Sequence, residues 1–216
     1  MTRFAKSLTL FAALLVPVLG CQDKKEPYSQ PQAKSQPADA HDAKAHLDAD
    51  SKTAVAIIKP SKGAATQPAN QSVTGTVAFT QVGDGVKVVA DLTGLSPGKH
   101  GIHIHDKADL SAPDLSSAGG HWDPDGHKVH GGPTSEGEKR HAGDLGNIEA
   151  DKDGKAHLEE TIPGLTLGDG GKHDVVGHAV IVHAKEDDMK DIKSAGGRVA
   201  GGAIEVAGSV QIKLTR

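Results

Sequence analysis

The sequence predicts an all-β domain, an antiparallel sandwich or barrel, from three observations. Apolar residues alternate with polar ones in several short segments, turns rich in glycine and proline separate those segments, and no stretch keeps a period of 3.6 residues. Several short strands with turn signals are typical of sandwiches and barrels. Aromatic residues make up only 2% of the chain, so we expect a core of valine, isoleucine, leucine and alanine.

Residues 1–20 predict a lipoprotein signal peptide. Arg3 and Lys6 precede an apolar run, SLTLFAALLVPVL, that is too short to span a bilayer as a mature helix. Cys21, the only cysteine of the chain, follows, and the junction resembles the bacterial lipobox, where cleavage leaves a lipidated cysteine at the new N-terminus. We expect a periplasmic protein anchored to the outer membrane, since Gln22 replaces the aspartate that marks inner-membrane retention. The alternative is an ordinary signal peptide followed by an incidental cysteine.

Residues 21–52 predict a disordered polar tether. The segment has almost no branched apolar side chains and cannot bury enough surface to offset the entropy lost on ordering. His41 and His46 lie in it and are expected to be solvated. The formal net charge of the whole chain is −4, and removal of the signal peptide would remove two cations. A nucleic-acid partner is therefore not expected, and an anionic substrate would need a locally positive site.

The domain that spans residues 53–216 contains seven segments that predict strands. In the second of them, Val73, Val77 and Phe79 alternate with threonines. In the last, one apolar face is formed by Ile204, Val206, Val210, Ile212 and Leu214. The seven segments are TAVAIIKP (53–60), VTGTVAFTQ (73–81), GVKVVADL (85–92), HGIHIH (100–105), AHLEETI (156–162), VVGHAVIVH (175–183) and AIEVAGSVQIKL (203–214).

The segment from Lys107 to Leu145 is predicted to be a loop. A loop of this length inside a compact domain is usually functional or is ordered by something outside itself. Nitrogen and carboxylate ligands suit zinc or copper, and the domain contains no cysteine. We therefore expect a metal ion to hold this loop. Its candidate ligands are His121, His127, His130, His141 and Asp144.

The strand HGIHIH predicts a second group of ligands. Its period of two places His103 and His105 on one face, where both could bind one ion, and His100 on the other. Far downstream, the predicted strand VVGHAVIVH ends at His183. The sequence thus predicts three nitrogens suited to copper beside a set suited to zinc.

Six motifs then follow one another in a specific order: GKHGIHIH, AGGHWDP, HGGP, RHAGDLGN, VIVHAKEDD and AGGRVAGG. With these motifs, the chain from about Thr53 to Arg216 resembles the copper/zinc superoxide dismutases. The resemblance implies a Greek-key antiparallel β-barrel with long metal-binding and electrostatic loops, and it implies copper and zinc as cofactors. It also implies an enzyme that converts superoxide into dioxygen and hydrogen peroxide. The oligomeric state is left open.

The resemblance also assigns metal ligands. His121 is implied to bridge the two metals as an imidazolate and to carry a proton in catalysis. The implied copper ligands are His103, His105, His121 and His183, and the implied zinc ligands are His121, His130, His141 and Asp144. The step from His121 to His130 is one residue longer than in common family members, so His127 is an alternative zinc ligand, although the HGGP motif favours His130.

Three further residues take roles from the resemblance. Asp187 matches the carboxylate that links His103 to His130, and Arg198 matches the entrance arginine, a permanently charged partner for the anion. His100 matches a histidine with a structural role. Surface positions are expected for His157, His173 and His178. Residues 184–197 correspond to the electrostatic loop, whose candidate steering residues are Lys185, Lys190 and Lys193.

Two rival interpretations stay open. One is a non-enzymatic periplasmic lipoprotein that buffers or stores copper and zinc on the same fold, and the other is a structural lipoprotein whose histidines are incidental. The complete ligand set together with Arg198 favours the enzyme, because a metal buffer needs no guide for anions.

The disulfide that the resemblance implies has no cysteines here. In the family it ties the loop before the bridging histidine to the barrel near the entrance arginine, but the matching positions hold Leu115 and Gly201. A native disulfide often contributes about 2–5 kcal/mol. We therefore expect zinc binding to carry more of the order of this loop than usual.

Overall fold

Eight antiparallel strands close into a barrel in the computed structural model, which describes residues 52–66, 70, 72–133 and 140–208. The strands are β1 (Thr53–Pro60), β2 (Thr74–Val82), β3 (Gly85–Thr93), β4 (Gly98–His105), β5 (Asp144–Ala150), β6 (Ala156–Pro163), β7 (Ala179–His183) and β8 (Arg198–Val206). Short 3-10 turns lie at Lys62–Thr66 and Ser116–Ala118. No helix among the described residues is long and apolar enough to cross a membrane.

Several predictions fall outside the described residues. These are the signal peptide, the lipidation of Cys21, the tether up to Ser51, and the apolar face at Val210, Ile212 and Leu214.

The strands follow one another around the barrel in the order β1-β2-β3-β6-β5-β4-β7-β8, and β8 pairs with β1 to close it. β4, β5 and β6 form a meander, and β7 returns to pair with β4. This return is a Greek-key connection, so the predicted fold class is confirmed. It also makes β4 and β7, the two strands that carry site histidines, direct neighbours.

Alternating side chains fill the barrel, as the period of two predicts. Along β3, Val86, Val88, Ala90 and Leu92 are buried, and the residues between them are at least partly exposed. Aliphatic residues dominate the core, with Phe79 as its largest fully buried side chain. Complete burial of a side chain of this size stabilises a fold by about 1.5–3 kcal/mol.

The seventh strand is shorter than the sequence predicts. The pattern VVGHAVIVH predicts a strand from Val175, but β7 begins at Ala179. The carboxylate of Asp174 accepts three backbone N–H groups, among them that of Val176, at 2.7–3.0 Å. An N–H that bonds a side chain cannot join the ladder of a sheet, so the chain forms a loop here.

The eighth strand also differs from its prediction. β8 begins at Arg198, upstream of the predicted start at Ala203, and its last residue is Val206. Val206 is 43% exposed and does not share the buried face of Ile204, which is 1% exposed. Its partner strand β1 begins at Thr53, so the wall of the barrel ends at this level.

The predicted long loop is confirmed for residues 107–133 and 140–143, and β5 then begins at Asp144, inside the predicted loop. The sequence DLGNIEA does not alternate cleanly, because Gly146 and Asn147 interrupt its apolar residues. The pattern therefore left this strand unpredicted.

Candidate metal centre

The first group of candidate ligands comprises four histidines. His103 and His105 lie on β4, His183 lies on the neighbouring strand β7, and His121 lies on the loop after β4. β-Bulges interrupt the ladders at His103 and at His183, and bulges often redirect side chains beside functional sites. His121 joins them because its backbone forms an isolated bridge with His105, the last residue of β4. One ring nitrogen from each of these four histidines lies within 4.8 Å of the other three. The Nε2 atoms of His105 and His183 are 3.4 Å apart.

Backbone carbonyls fix the orientation of two of these rings. His105 Nδ1 donates to the carbonyl of Gly119 at 3.0 Å, and His183 Nδ1 donates to the carbonyl of Gly196 at 3.1 Å. A carbonyl oxygen only accepts, so each neutral ring carries its proton on Nδ1 and presents an unprotonated Nε2. Such an outer hydrogen bond is the usual support of a metal-binding histidine.

Burial keeps the same two imidazoles neutral. Loss of solvent, together with nearby positive charge that includes Arg198, lowers the pKa of His105 to about 2 and that of His183 to about 3. Neutral imidazole is the form that binds a metal ion. At neutral pH His105 and His183 can therefore bind a cation without first releasing protons.

A second group surrounds Asp144, the first residue of β5. Its fully buried carboxylate places Oδ1 2.8 Å from His121 Nδ1, 3.0 Å from His130 Nδ1 and 3.3 Å from His141 Nδ1. Burial opposes ionisation of Asp144, but the three imidazoles outweigh it and hold the pKa well below its usual range. Asp144 pairs with His103 in the β4–β5 ladder, so the barrel itself fixes the centre of this group.

Gly143 lets the middle and the last residue of the loop between β4 and β5 approach β4 together. Ile104 N donates to Gly143 O at 2.8 Å, Gly143 N donates to Trp122 O at 2.9 Å, and Trp122 N donates to Ile104 O at 2.9 Å. A Cβ on Gly143 would overlap the Ile104 carbonyl oxygen. Only glycine permits this three-way contact, which carries His121 and Asp144 to the same edge of the barrel.

The donor sets of both groups fit metal ions. Among the described residues, His103 Nδ1 and His130 Nδ1 are buried without a hydrogen-bond partner. His130 Nδ1 lies 3.0 Å from an oxygen of Asp144, but the alignment is not that of a hydrogen bond. An unsatisfied buried polar atom costs about 1–3 kcal/mol, and one metal ion in each group would satisfy these two nitrogens. Four nitrogens suit copper, and three nitrogens with one carboxylate suit tetrahedral zinc.

The structure places His130, and not His127, in the second group. His130 belongs to the cluster of nitrogens and carboxylate oxygen that lie within 4.8 Å of one another. His127 instead donates through Nδ1 to the carbonyl of Arg140 at 3.0 Å, across the loop. His127 therefore ties two parts of the loop together and lies outside the second group.

Asp187 connects the two groups, as the resemblance implies. Its carboxylate lies 2.7 Å from His103 Nε2 and 2.8 Å from His130 Nε2. Although burial opposes its ionisation, the contacts with these two rings keep its pKa well below the usual range. The pKa of His130 shifts upward. Burial disfavours its charged form, but Asp144 and Asp187 outweigh this and raise the pKa of His130 to about 10.

Asn147 is a residue that the sequence reasoning missed. Its side chain donates to the carbonyl of Asp187 at 2.9 Å and accepts the N–H of Asp187 at 2.8 Å. This pair of bonds clamps the electrostatic loop, residues 184–197, to β5. The only sequence signal was that Asn147 lies in the motif RHAGDLGN, beside two implied ligands.

Arg198 lies beside the first group. It is the direct partner of His183 in the β7–β8 ladder. Its guanidinium donates to the carbonyl oxygens of Leu115 at 2.5 Å and Gly119 at 2.6 Å. A guanidinium has five N–H donors, so these two bonds orient the group and leave capacity for an anion.

The remaining described histidines have other surroundings. His100 is buried and ties β4 to β7, with Nδ1 donating to the His183 carbonyl at 2.9 Å. His157 pairs with Asp91 at the surface, and His173 with Asp125. The ring of His178 lies against Trp122, with the ring centroids 4.3 Å apart.

Comparison with known proteins agrees with this geometry. The family profile described as copper/zinc superoxide dismutase (SODC) matches residues 73–204. Among similar solved structures is one titled a crystal structure analysis of the clock protein EA4, which is 34% identical to this chain. The alignment covers 72% of this chain and 94% of that chain, with a TM-score of 0.61. The barrel, the two groups of ligands and the profile match lead to one conclusion: the chain belongs to the copper/zinc superoxide dismutase family.

Proposed function

We propose that the protein dismutes superoxide at a copper ion that the imidazolate of His121 connects to a zinc ion. The observation that carries this proposal is that His121 belongs to both groups of potential ligands. Copper would be held by His103, His105, His121 and His183, and zinc by His121, His130, His141 and Asp144. A chain that only stored metal would gain nothing from a shared ring.

Copper, when bound, would supply the one-electron chemistry, taking an electron from one superoxide and returning it to a second, whereas zinc has no redox role. The overall reaction converts two superoxide anions and two protons into dioxygen and hydrogen peroxide. The ring of His121 would hold one of these protons and pass it to the reduced oxygen, and water would supply the other. Asp144, 2.8 Å from His121 Nδ1, keeps that ring in position.

Arg198 would bind the incoming anion. The guanidinium is permanently charged, and it lies close enough to the first group to contribute to the low pKa values of His105 and His183. The hydrogen bonds to Leu115 and Gly119 hold it in one orientation. This ordered cation favours the enzyme over the alternative, a periplasmic lipoprotein that buffers or stores copper and zinc.

Metal content and activity measured on one sample test the proposal. We expect purified protein loaded with both metals to bind one ion of each per chain and to consume superoxide catalytically. A sample with full copper occupancy that does not consume superoxide would contradict the enzyme. A matched pair of variants tests the ligands: His130→Ala should lose zinc, and His127→Ala should keep it.

For location, we propose a lipid anchor at Cys21 that holds the domain at the periplasmic face of the outer membrane. The support is the apolar run of the predicted signal peptide, followed by Gly20 and then by Cys21, the only cysteine of the chain. Cys21→Ser should release the protein from the membrane fraction and abolish incorporation of labelled fatty acid. A variant that stays in the membrane fraction would exclude this anchor.

A further inference from the structure

The turn that spans residues 115–119 connects Arg198 to the first group of histidines. The carbonyl oxygens of Leu115 and Gly119 accept the guanidinium of Arg198 at 2.5 Å and 2.6 Å. The Gly119 carbonyl also accepts the Nδ1–H of His105 at 3.0 Å. One turn of backbone therefore orients both the cation and one imidazole, and a shift of this turn would disturb both.

The side chain of Leu115 anchors the turn to the wall of the barrel. It is 6% exposed and packs in an apolar cluster with Ala118, Ala179 and Ile181. It also lies over Gly201 of β8, where an added Cβ would come within 3.2 Å of Leu115 Cδ1. The backbone of Leu115 is left-handed, with φ of 61°, a conformation that leucine rarely adopts and that surrounding packing must maintain.

We propose that Leu115 is a positioning residue for Arg198, and that seating its side chain over Gly201 sets the direction of the carbonyl that holds the guanidinium. The connection is non-covalent, so the orientation of Arg198 does not depend on thiol oxidation. The inference rests on the proposed function in one respect, since that function supplies the anion that Arg198 binds.

The fit between the two residues is specific in both directions. A Cβ at position 201 would meet Ile181 Cδ1 at 2.8 Å as well as Leu115 Cδ1 at 3.2 Å. The space over residue 201 that the Leu115 side chain fills, here called the seat, therefore exists only because residue 201 is glycine. A short side chain at position 115 would leave the seat empty. The apolar contacts that help to maintain the left-handed backbone would then be lost.

The chemical reactivity of Arg198 tests this role without any metal. Purified protein would be treated with phenylglyoxal, and modification of each arginine would be followed by peptide mass spectrometry. In Leu115→Ala we expect Arg198 to react roughly fivefold faster, the factor that corresponds to the loss of about one net hydrogen bond. Arg140, which also donates to a backbone carbonyl, at 2.8 Å, serves as the internal reference.

Two variants separate positioning from general packing. Leu115→Met, which can fill the same seat, should restore protection of Arg198. Leu110→Ala removes apolar packing next to the same cluster and should leave Arg198 protected. Equal reactivity of Arg198 in the unmodified chain and in folded Leu115→Ala would overturn the inference.

Gly201→Ala covers the case in which Leu115→Ala does not fold. Its methyl group would come within 2.8 Å of Ile181 Cδ1 and 3.2 Å of Leu115 Cδ1 and would crowd the cluster that holds Leu115. Arg198 should therefore again react faster, and an unchanged rate would overturn the inference. Failure of the proposed function is seen separately. In that case Arg198 stays protected in the unmodified chain, and copper-loaded protein consumes no superoxide.

Discussion

The two halves of the candidate metal centre are built from different parts of the fold. The strand half, His103, His105 and His183, stands on β4 and β7, two neighbouring strands that pair from Ile102 to His105. The loop half, His130 and His141, lies on the long connection between β4 and β5. His121 and Asp187 contact both halves. The two halves therefore share a site but have different mechanical support.

The difference also appears in charge. In the strand half, burial and carbonyl acceptors keep His105 and His183 neutral, with pKa values of about 2 and 3. In the loop half, two carboxylates raise the pKa of His130 to about 10. Without metal, protons can take the place of a cation between these imidazoles and carboxylates. The pairing of the strands thus holds the strand half in place. The loop half depends on a positive charge, either protons or a cation, between its imidazoles and carboxylates.

Removal of metal should have the largest effect, because it acts on the loop half. At metal concentrations about 1,000 times the dissociation constant, binding adds about 4 kcal/mol to stability. We expect a chelator to lower the melting midpoint by about 10 °C, given the size of the chain. Reductant should change nothing, since the described domain contains no cysteine. A melting midpoint that is the same with and without chelator would show that packing around Leu115 holds the loop.

The variant His121→Ala should separate the two halves. Loss of the shared ring removes one ligand from each group, so zinc affinity should fall by at least about 100-fold and the copper spectrum should change with it. Metal analysis and visible absorption on the same sample provide the measurement. His127→Ala is the matched control, because that ring lies outside both groups. An unchanged copper spectrum in His121→Ala would refute the bridge.

The variant Asp187→Asn should weaken the link between the halves while all the ligands remain. Replacing a carboxylate that orients metal-binding histidines typically costs 10–100-fold in metal affinity, or about 2 kcal/mol. Asp188→Asn changes the neighbouring, exposed carboxylate and should leave zinc retention unchanged. Competition with a zinc chelator measures both. Equal retention in the two variants would show that the loop half does not need Asp187.

The variant Arg198→Ala should leave metal binding by both halves unchanged and weaken only the attraction of the anionic substrate. Both metals should stay bound, and the rate should fall about tenfold because a fixed positive charge raises the local concentration of an anionic substrate. The loss should shrink as ionic strength rises, since salt screens that attraction. Arg198→Lys, which keeps the charge, should lose less. A rate equal to that of the unmodified chain at low ionic strength would count against the guide role.

The smallest effect concerns the loop before β7, which is held by the carboxylate of Asp174 and not by histidines. Asp174 accepts three backbone N–H groups at 2.7–3.0 Å, and although burial opposes ionisation, these bonds hold its pKa below the ordinary 3.8. Its contribution is therefore complete above about pH 4 and is lost as the pH falls through the lower, folded value. Asp174→Asn should cost about 1 kcal/mol at pH 7 and less at pH 3.

Melting curves across that pH range, with and without chelator, provide the measurement for Asp174→Asn. Asp169→Asn, an exposed carboxylate of the same loop, is the control. A loss that depends on chelator would mean that this loop, too, relies on the metal centre.

The sequence reached the strand half and the loop half by different routes. Period two on HGIHIH was enough to place His103 and His105 on one face, because alternation is a local property of a strand. The choice between His127 and His130 depended on a motif, because the loop has no period from which direction could be read. Resemblance, and not pattern, also supplied Arg198 and Asp187.

Other parts of the structure could not be predicted because they depend on the backbone or on distant partners. The carbonyl of Gly119 holds both His105 and Arg198, yet any residue type offers the same carbonyl. Val175 reads as part of a strand, but the side chain of Asp174 takes the backbone N–H of Val176 from the sheet. Asn147 was missed because its partner, Asp187, lies far away in the sequence.

The pairing of His183 with Arg198 has a consequence for engineering. These two residues are direct partners in the ladder between β7 and β8, so strand pairing sets the spacing between the imidazole and the guanidinium. The intervening residues 184–197 contribute Asp187 and the Gly196 carbonyl, which contact the histidine rings, but they do not set that spacing. Provided that Asp187, its partner Asn147 and the Gly196 carbonyl are kept, we expect that this segment can be changed in length or in charge while the spacing between His183 and Arg198 stays the same.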